Sequence, residues 1–180
     1  MRYWFDTEFV EDGKTIELIS IGIVAEDDRE YYAINQGCDF SRASQWVKDN
    51  VIAQLPLRDV NLSDPSISPR IKSESLAWKS KSAIASEVLE FVGGGKKPEF
   101  WAYYADYDWV VFCQLFGTMM DLPDGFPMYC RDIKQECDRL GNPDLPEQCE
   151  GKHNALADAR WNKMAWEFLR NYDLGNYDDN

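Results

Sequence analysis

Two carboxylates lie close together near the N-terminus, in the run Phe5-Asp6-Thr7-Glu8-Phe9. The aromatic residues before them, from Arg2 to Phe5, predict a short strand that ends at the acids. Side chains two residues apart share one face of an extended chain, so Asp6 and Glu8 would meet at one spot. Paired carboxylates suit Mg²⁺ or Mn²⁺, but an isolated Asp-x-Glu is more often a solvated strand end.

A second group with potential chemistry lies near the C-terminus. His153 is the single histidine of the chain and precedes Asp158 by five residues. The residues from about 154 onward predict a helix, so Asp158 would lie one turn inside it and His153 just before its start. This arrangement suits a general base beside a metal-bound water. On this motif alone, a surface or core histidine is the more common interpretation.

A third acid, Asp108, lies between a predicted strand, residues 99–104, and an apolar helix predicted to begin at Trp109. Acids at such a turn lie at the edge of a sheet, but they also favour helix N-termini for electrostatic reasons alone. Asp106 competes for the same role. We prefer Asp108 because Tyr107 would anchor the turn in the core and leave the next side chain pointing out.

Alternating strands and helices must position these groups. The patterns predict strands over residues 2–5, 16–25, 30–35, 99–104 and 128–130. They predict a loop over residues 56–70. They predict five helices: 41 to about 55, 73–92, one that begins at 109, 132–140 and about 154–172. The second of these would end at Gly93–Gly95. Residues 173–180 predict a frayed acidic tail. We expect an α/β fold, in which an antiparallel three-strand meander and parallel strands form a mixed sheet flanked by helices.

Composition and charge narrow the function classes. The chain has 180 residues, enough for one domain with a sizeable core, and 44% of them are hydrophobic. A net charge of −13 argues against a nonspecific binder of long nucleic acids, but not against an enzyme whose metal ions neutralise phosphate. Residues 41–81 carry seven Lys/Arg against four acids, which makes this segment a candidate phosphate-facing surface or an ordinary solvated face.

The expected cellular compartment depends on three sequence features that are absent: a membrane span, a signal peptide and a Cys-x-x-Cys motif. No apolar run is long enough for a membrane span, and the N-terminus does not have the pattern of a signal peptide. The five cysteines form no Cys-x-x-Cys motif. We therefore expect a cytoplasmic protein with reduced thiols and no membrane partner.

Taken together, the motifs resemble the DEDDh 3′–5′ exonucleases, DnaQ-like enzymes with the RNase H-like fold. They stand here as Asp6-Thr7-Glu8, Tyr107-Asp108 and His153-Asn154-Ala155-Leu156-Ala157-Asp158. Any one motif is weak, whereas the ordered set is specific. The resemblance covers residues 1–172 as a single exonuclease domain. It is most similar to the stand-alone exoribonuclease branch described from mycobacteria and phages.

This resemblance implies a mechanism and a site. Two Mg²⁺ or Mn²⁺ ions would be held by Asp6, Glu8, Asp108 and Asp158, with His153 as the general base. The implied substrate is single-stranded or 3′-overhang RNA, and the product is a nucleoside 5′-monophosphate. In this fold the residues that follow the first acids line the terminal nucleotide, so Thr7 and Phe9 are expected to bind it, with Phe9 equally explained as core.

Several alternatives stay open. A DNA exonuclease of the same family would carry the same motifs, because no residue here identifies a reader of the 2′-hydroxyl. An RNase H-type endonuclease would share the carboxylates but would not need His153. A catalytically silent module that binds nucleic-acid ends or a protein is less compatible with an intact set of acids. Some of the seven tryptophans could form a homodimer face.

Overall fold

The fold is organised around one mixed sheet. A computed structural model describes residues 1–93 and 97–178, and across these residues six strands form the sheet. The strands are β1 (Arg2–Glu11), β2 (Ile16–Ala25), β3 (Glu30–Asn35), β4 (Trp78–Lys79), β5 (Glu99–Ala102) and β6 (Arg131–Asp132), in the spatial order β4-β3-β2-β1-β5-β6. Strands β1, β2 and β3 form an antiparallel meander, whereas β4, β5 and β6 pair in parallel. The expected α/β class with an RNase H-like mixed sheet is confirmed.

Helices flank the sheet. The α-helices of the described residues are α1 (Gln45–Asn50), α2 (Pro69–Ser75), α3 (Lys81–Val92), α4 (Asp106–Cys113), α5 (Ile133–Arg139) and α6 (Ala155–Asp178). The prediction that residues 173–180 form a frayed tail is wrong as far as Asp178, because α6 continues through them. Gly93 ends α3 with a φ of 81°, whereas Gly94, Gly95, Asp179 and Asn180 lie outside the described residues.

The first strand is longer than predicted, and this places the acids differently. Asp6 and Glu8 lie inside β1 and not at its end, because β2 pairs with β1 along its whole length. The register shifts between Glu8 and Phe9: Glu8 lies opposite Ser20, whereas Phe9 lies opposite Leu18. Such bulges bend a strand locally and are frequent beside functional sites.

Helix caps account for the other differences in the first half of the chain. Ser44 and not Ser41 caps α1, through a hydrogen bond from the backbone N–H of Val47, and short 3₁₀ turns flank the helix. The segment predicted as loop and then one helix contains α2, β4 and α3. The Ser68-Pro69 start signal and the Ser80 cap separate these elements.

Two differences affect the second half of the chain. Strand β5 ends at Ala102, and Tyr104 adopts a left-handed φ of 56° that an extended chain cannot accommodate. Helix α4 begins at Asp106, so Asp108 lies in its first turn and not before the helix. The predicted strand over 128–130 is instead β6, at Arg131–Asp132.

The sheet buries a different core on each face. On one face Phe5 packs with Phe100 and Phe112 in a cluster that strand residues form with α3 and α4. On the other face Trp4 packs against α5 and α6, with its ring 5.2 Å from that of Trp166. Because side chains alternate along β1, Asp6 and Glu8 share the α6 face with Trp4, and Thr7 shares the α4 face with Phe5.

Two further features of the fold concern its thiols and its helices. All five cysteines have free thiols. Over the described residues, no helix combines the length and the apolar content that crossing a membrane requires. The longest helix, α6, carries charged side chains along its length, among them Arg160, Lys163 and Glu167.

Candidate active site

Three of the predicted acids converge between β1 and α6. Asp6, Glu8 and Asp158 each offer a carboxylate oxygen, and these oxygens all lie within 4.8 Å of one another. Asp6 and Glu8 reach this point from one face of β1, and Asp158 reaches it from the first turn of α6. Residues that are 150 positions apart in the chain therefore meet, as the sequence motifs suggested.

A glycine in β2 permits the close approach of α6. Gly22 lies directly opposite Asp6 in the sheet. A Cβ atom on Gly22 would lie 2.3 Å from the carbonyl oxygen of Ala155, at the start of α6. Further along the helix, the buried side-chain amide of Asn162 donates to the Phe5 carbonyl at 2.8 Å. The helix is thus seated on the backbone of both strands, which sets the height of Asp158 above Asp6.

Asp108 lies beside this cluster and is held from the other face of the sheet. Its side chain is only 6% exposed, and its Oδ1 accepts hydrogen bonds from the backbone N–H of Thr7 at 2.8 Å and from the Thr7 hydroxyl at 2.6 Å. The competing residue, Asp106, is exposed at the start of α4. The expectation that Tyr107 anchors this turn in the core is wrong, because Tyr107 is 56% exposed and Asp108 itself is buried.

His153 is fixed by its backbone at the entrance of α6. It adopts a left-handed φ of 66°, and its N–H donates to Oδ2 of Asp158 at 2.9 Å. Its imidazole packs edge-to-face on the ring of Trp46, with the ring centroids 4.8 Å apart. Trp46 belongs to α1 and is 54% exposed, so an aromatic surface lies next to the histidine.

The other oxygen of Asp158 also has a donor. The side-chain amide of Gln148 donates to Oδ1 of Asp158 at 2.5 Å. Gln148 lies between α5 and α6 in a segment without helix or strand. Both oxygens of Asp158 are thus oriented by hydrogen bonds from the residues that precede α6.

Burial and mutual repulsion disturb the acids of the cluster. Burial, followed by the charges of Asp108 and Asp158, raises the pKa of Asp6 well above its usual range. The same causes, again with burial first, raise the pKa of Glu8 to about 8. Among the described residues, no lysine or arginine forms an ion pair with Asp6, Glu8, Asp108 or Asp158. Within residues 1–93 and 97–178, the cluster therefore has no lysine or arginine partner.

Hydrogen bonds partly offset the effect of burial on the other two acids. Burial raises the pKa of Asp108 to about 6, and the two hydrogen bonds from Thr7 limit the rise. Burial also raises the pKa of Asp158, and the bonds from Gln148 and from the His153 backbone oppose it. Hydrogen bonds thus oppose the rise in pKa of Asp108 and Asp158, whereas burial and repulsion act without that opposition on Asp6 and Glu8.

Thr7 and Phe9 occupy the opposite face of β1 from the carboxylate cluster. The Thr7 hydroxyl is engaged by Asp108, and its side chain is 4% exposed. The Phe9 ring is half-buried and stacks on Tyr107, with centroids 5.9 Å apart. Their contact with a nucleotide stays a prediction, whereas the contact of Thr7 with Asp108 is a role that the sequence did not reveal.

Two basic residues of the segment over residues 41–81 pair with acids outside that segment. Arg42 pairs with Asp12 and Glu17. Lys79 pairs at 2.7 Å with Glu87, which lies outside residues 41–81. These contacts favour the solvated-face interpretation over a dedicated phosphate surface.

Sequence reasoning missed several residues that shape the site. Gly22, Asn162, Gln148 and Trp46 each contact an acid, the histidine or the backbone that carries them. The one available signal was Gly22, since an isolated glycine inside a strand pattern often marks a close backbone approach. The other three depend on contacts between segments far apart in sequence.

Comparison with known proteins identifies the family of the chain. The model of the 3′-5′ exoribonuclease Rv2179c-like domain family matches residues 1–170. Two relatives, the 3′-5′ exoribonucleases Rv2179c and MT2234.1 from two strains of Mycobacterium tuberculosis, are each 41% identical over 162 residues, which is 89% of this chain and 88% of each relative. Among solved structures, one chain in the structure of the yeast NOT1 MIF4G domain co-crystallised with CAF1 matches 97% of this chain and 79% of its own length, with 11% identity and a TM-score of 0.46. A structural likeness of that size does not establish a shared fold.

Proposed function

The chain belongs to the Rv2179c-like 3′-5′ exoribonuclease domain family, and we propose that it hydrolyses RNA from the 3′ end in a metal-dependent reaction. The relatives that are 41% identical over most of their length are named 3′-5′ exoribonucleases. RNA is therefore the proposed substrate. A DNA exonuclease remains the alternative that the experiment below distinguishes.

The observation that carries this proposal is a cluster of acids that no lysine or arginine of the described residues pairs with. Carboxylate oxygens of Asp6, Glu8 and Asp158 lie within 4.8 Å of one another, and Asp108 lies beside them. Like charges at this spacing are costly unless protons or a cation neutralise them. Hard oxygen ligands suit Mg²⁺ or Mn²⁺, so the residues fit divalent cations. We propose that the four acids hold two such ions.

The acids and His153 would then have different roles in hydrolysis. Bound divalent ions would neutralise phosphate charge and make water easier to deprotonate. His153 would accept the proton of the attacking water, since its backbone is locked one turn before Asp158. The water oxygen bonds to the terminal phosphorus, and the 3′-oxygen of the preceding nucleotide leaves as a hydroxyl. The products are a nucleoside 5′-monophosphate and a shortened RNA.

Substrate contacts are proposed around the same point. Trp46 presents an exposed ring beside His153, and a base stacked there would place the terminal phosphate close to the acids. Phe9 and Tyr107 form a second aromatic pair on the α4 side. Because the chain carries a net charge of −13, we expect RNA binding to depend on the divalent ions.

The test is hydrolysis of 5′-labelled RNA and matched DNA in Mg²⁺, Mn²⁺ or EDTA. We expect a ladder that shrinks from the 3′ end, requires a divalent ion and is stronger on RNA. Asp108→Asn should abolish it, whereas Asp106→Asn, two residues away and exposed, is the matched control that should retain it. Absence of cleavage under every metal would refute the exonuclease, and a stronger ladder on DNA would transfer the proposal to that substrate.

A further inference from the structure

Gln148 stands out among the residues near the site because its uncharged side chain contacts a proposed metal ligand, Asp158. Its amide nitrogen donates to Asp158 Oδ1 at 2.5 Å, and the His153 N–H occupies Oδ2 at 2.9 Å. The carboxylate of Asp158 is thereby held by donors on both oxygens. In the described part of the chain, no hydrogen bond of this kind holds the side chain of Asp6 or Glu8.

The segment that carries Gln148 is anchored to the same helix as Asp158. The Trp161 indole N–H donates to the Pro146 carbonyl at 2.9 Å, and Trp161 lies one turn after Asp158 on α6. Leu145 packs into the core cluster around Trp4. The two residues that shortly precede Gln148 are therefore held against α6 and the core, which keeps its amide close to Asp158.

The chemistry of an amide suits this position. A lysine here would form an ion pair with Asp158 and would compete with a divalent cation for the same carboxylate. A neutral amide donates one hydrogen bond and leaves the carboxylate its charge and its remaining lone pairs. Outer hydrogen bonds of this type orient metal ligands, and their loss typically costs about 10–100-fold in metal affinity or activity.

The geometry points to Gln148 as a positioning residue that orients Asp158 for a divalent cation, an inference that rests on the proposed function. It acts through Asp158 and has no contact with substrate in this role. Its loss should leave the Asp158 carboxylate held only through Oδ2, by the His153 N–H, and therefore less well oriented. The acid would still be present, but the cation would have to order it on binding.

The experiment measures Mn²⁺ binding to the full chain by calorimetry for wild type, Gln148→Ala and Gln54→Ala. Gln54 is the matched control, because its amide contacts the carbonyl of Lys152 in the same segment, at 3.3 Å, without reaching Asp158. We expect Gln148→Ala to weaken Mn²⁺ binding by about 10–100-fold and Gln54→Ala to leave it unchanged. Circular dichroism of the metal-free proteins checks that both variants are folded.

Exonuclease activity against Mn²⁺ concentration supplies the second readout. The Mn²⁺ concentration for half-maximal activity should rise about 10–100-fold in Gln148→Ala, while kcat at saturating Mn²⁺ returns towards that of wild type. Wild-type affinity in Gln148→Ala would overturn the inference, as would an equal loss in Gln54→Ala. Absence of Mn²⁺ binding by the wild type would instead refute the proposed metal site itself.

Discussion

Thr7 donates two hydrogen bonds to a single oxygen of Asp108, from its backbone N–H at 2.8 Å and from its hydroxyl at 2.6 Å. Thr7 lies between Asp6 and Glu8 in β1 but points to the opposite face of the sheet. One short stretch of strand therefore supplies two acids on one face and holds a third acid from the other. This explains why a threonine between the acids matters structurally.

Replacing Thr7 by valine should weaken the site without changing its shape. Valine keeps the branched volume and the backbone donor but removes the hydroxyl, so Asp108 loses one of its two bonds. We expect the free energy of unfolding to fall by about 1.5–3 kcal/mol and the activity to fall by about 10–100-fold. Urea denaturation and RNA hydrolysis measure the two effects. Thr7→Ser, which retains the hydroxyl, should recover most of both, and an equally impaired serine variant would contradict this role.

Gly22→Ala should displace α6 from the sheet. The added methyl group would lie 2.3 Å from the Ala155 carbonyl oxygen, and backbone atoms cannot yield as a flexible side chain can. We expect a loss of about 1–3 kcal/mol in stability and of about 100-fold in activity, because Asp158 moves with the helix. Thermal unfolding and RNA hydrolysis are the measurements.

A second glycine substitution controls for the change of residue type. Gly175 lies in α6, and a Cβ atom there would contact nothing within 4 Å. Gly175→Ala should therefore preserve activity and leave stability unchanged or raised by up to about 1 kcal/mol through helix propensity. If both alanine variants lost activity alike, close packing at Gly22 would not be the cause.

The metal-free protein should lose stability as the pH rises. Burial raises the pKa of Glu8 from an ordinary 4.5 to about 8 and that of Asp108 from 3.8 to about 6. Between the ordinary and the raised values the folded state binds more protons than the unfolded state, so the stabilising contribution is lost as the pH passes through about 6 and then about 8. Between pH 5 and pH 9 in EDTA, we expect the free energy of unfolding to fall by roughly 5 kcal/mol, since each pH unit over which one of these acids is protonated only in the folded state is worth about 1.4 kcal/mol.

Two controls assign this dependence to the cluster. Glu8→Gln removes one of the raised groups and should flatten the slope between pH 6 and 9. Saturating Mg²⁺ should also remove it, because a bound cation favours the deprotonated acids. Denaturation curves at each pH measure the slope, and a wild-type slope in Glu8→Gln would show that other groups are responsible.

His153→Asn should separate catalysis from metal binding. The contact of residue 153 with Asp158 uses the backbone N–H, and asparagine tolerates the left-handed φ of 66° better than most residues. Mn²⁺ affinity should therefore stay near that of the wild type, whereas kcat should fall by about 10²–10⁴-fold through loss of the general base. Calorimetry and single-turnover hydrolysis test the two halves. A fall in Mn²⁺ affinity as large as the fall in kcat would contradict the assignment.

The sequence predicted the parts of the fold that depend on local patterns. Strands β2 and β3, α5 and the start of α6 lie within about one residue of the expected positions, because alternation, turns and caps are encoded by neighbouring residues. Strand β1 begins where expected but continues to Glu11. The sequence grouped Asp6, Glu8 and Asp158 in one site only because the ordered motifs resemble a known family. The structure adds the observation that their carboxylate oxygens lie within 4.8 Å of one another.

Features that depend on distant contacts were not predictable in this way. Strand β4 has two residues and exists because it pairs with β3, and Tyr107 points outward because Asp108 takes the buried position against Thr7. The contact of Gln148 with Asp158 likewise links an irregular segment to a helix. None of these contacts leaves a periodic signal, since each joins one residue to one distant partner.

The seating of α6 on β1, through Asn162 and the Phe5 carbonyl, has a consequence during biosynthesis. A chain emerging from a ribosome displays Asp6 and Glu8 early but acquires Asp158 only after some 150 further residues have been added. If these acids form the proposed metal site, that site stays incomplete until α6 has been synthesised and has packed on the sheet.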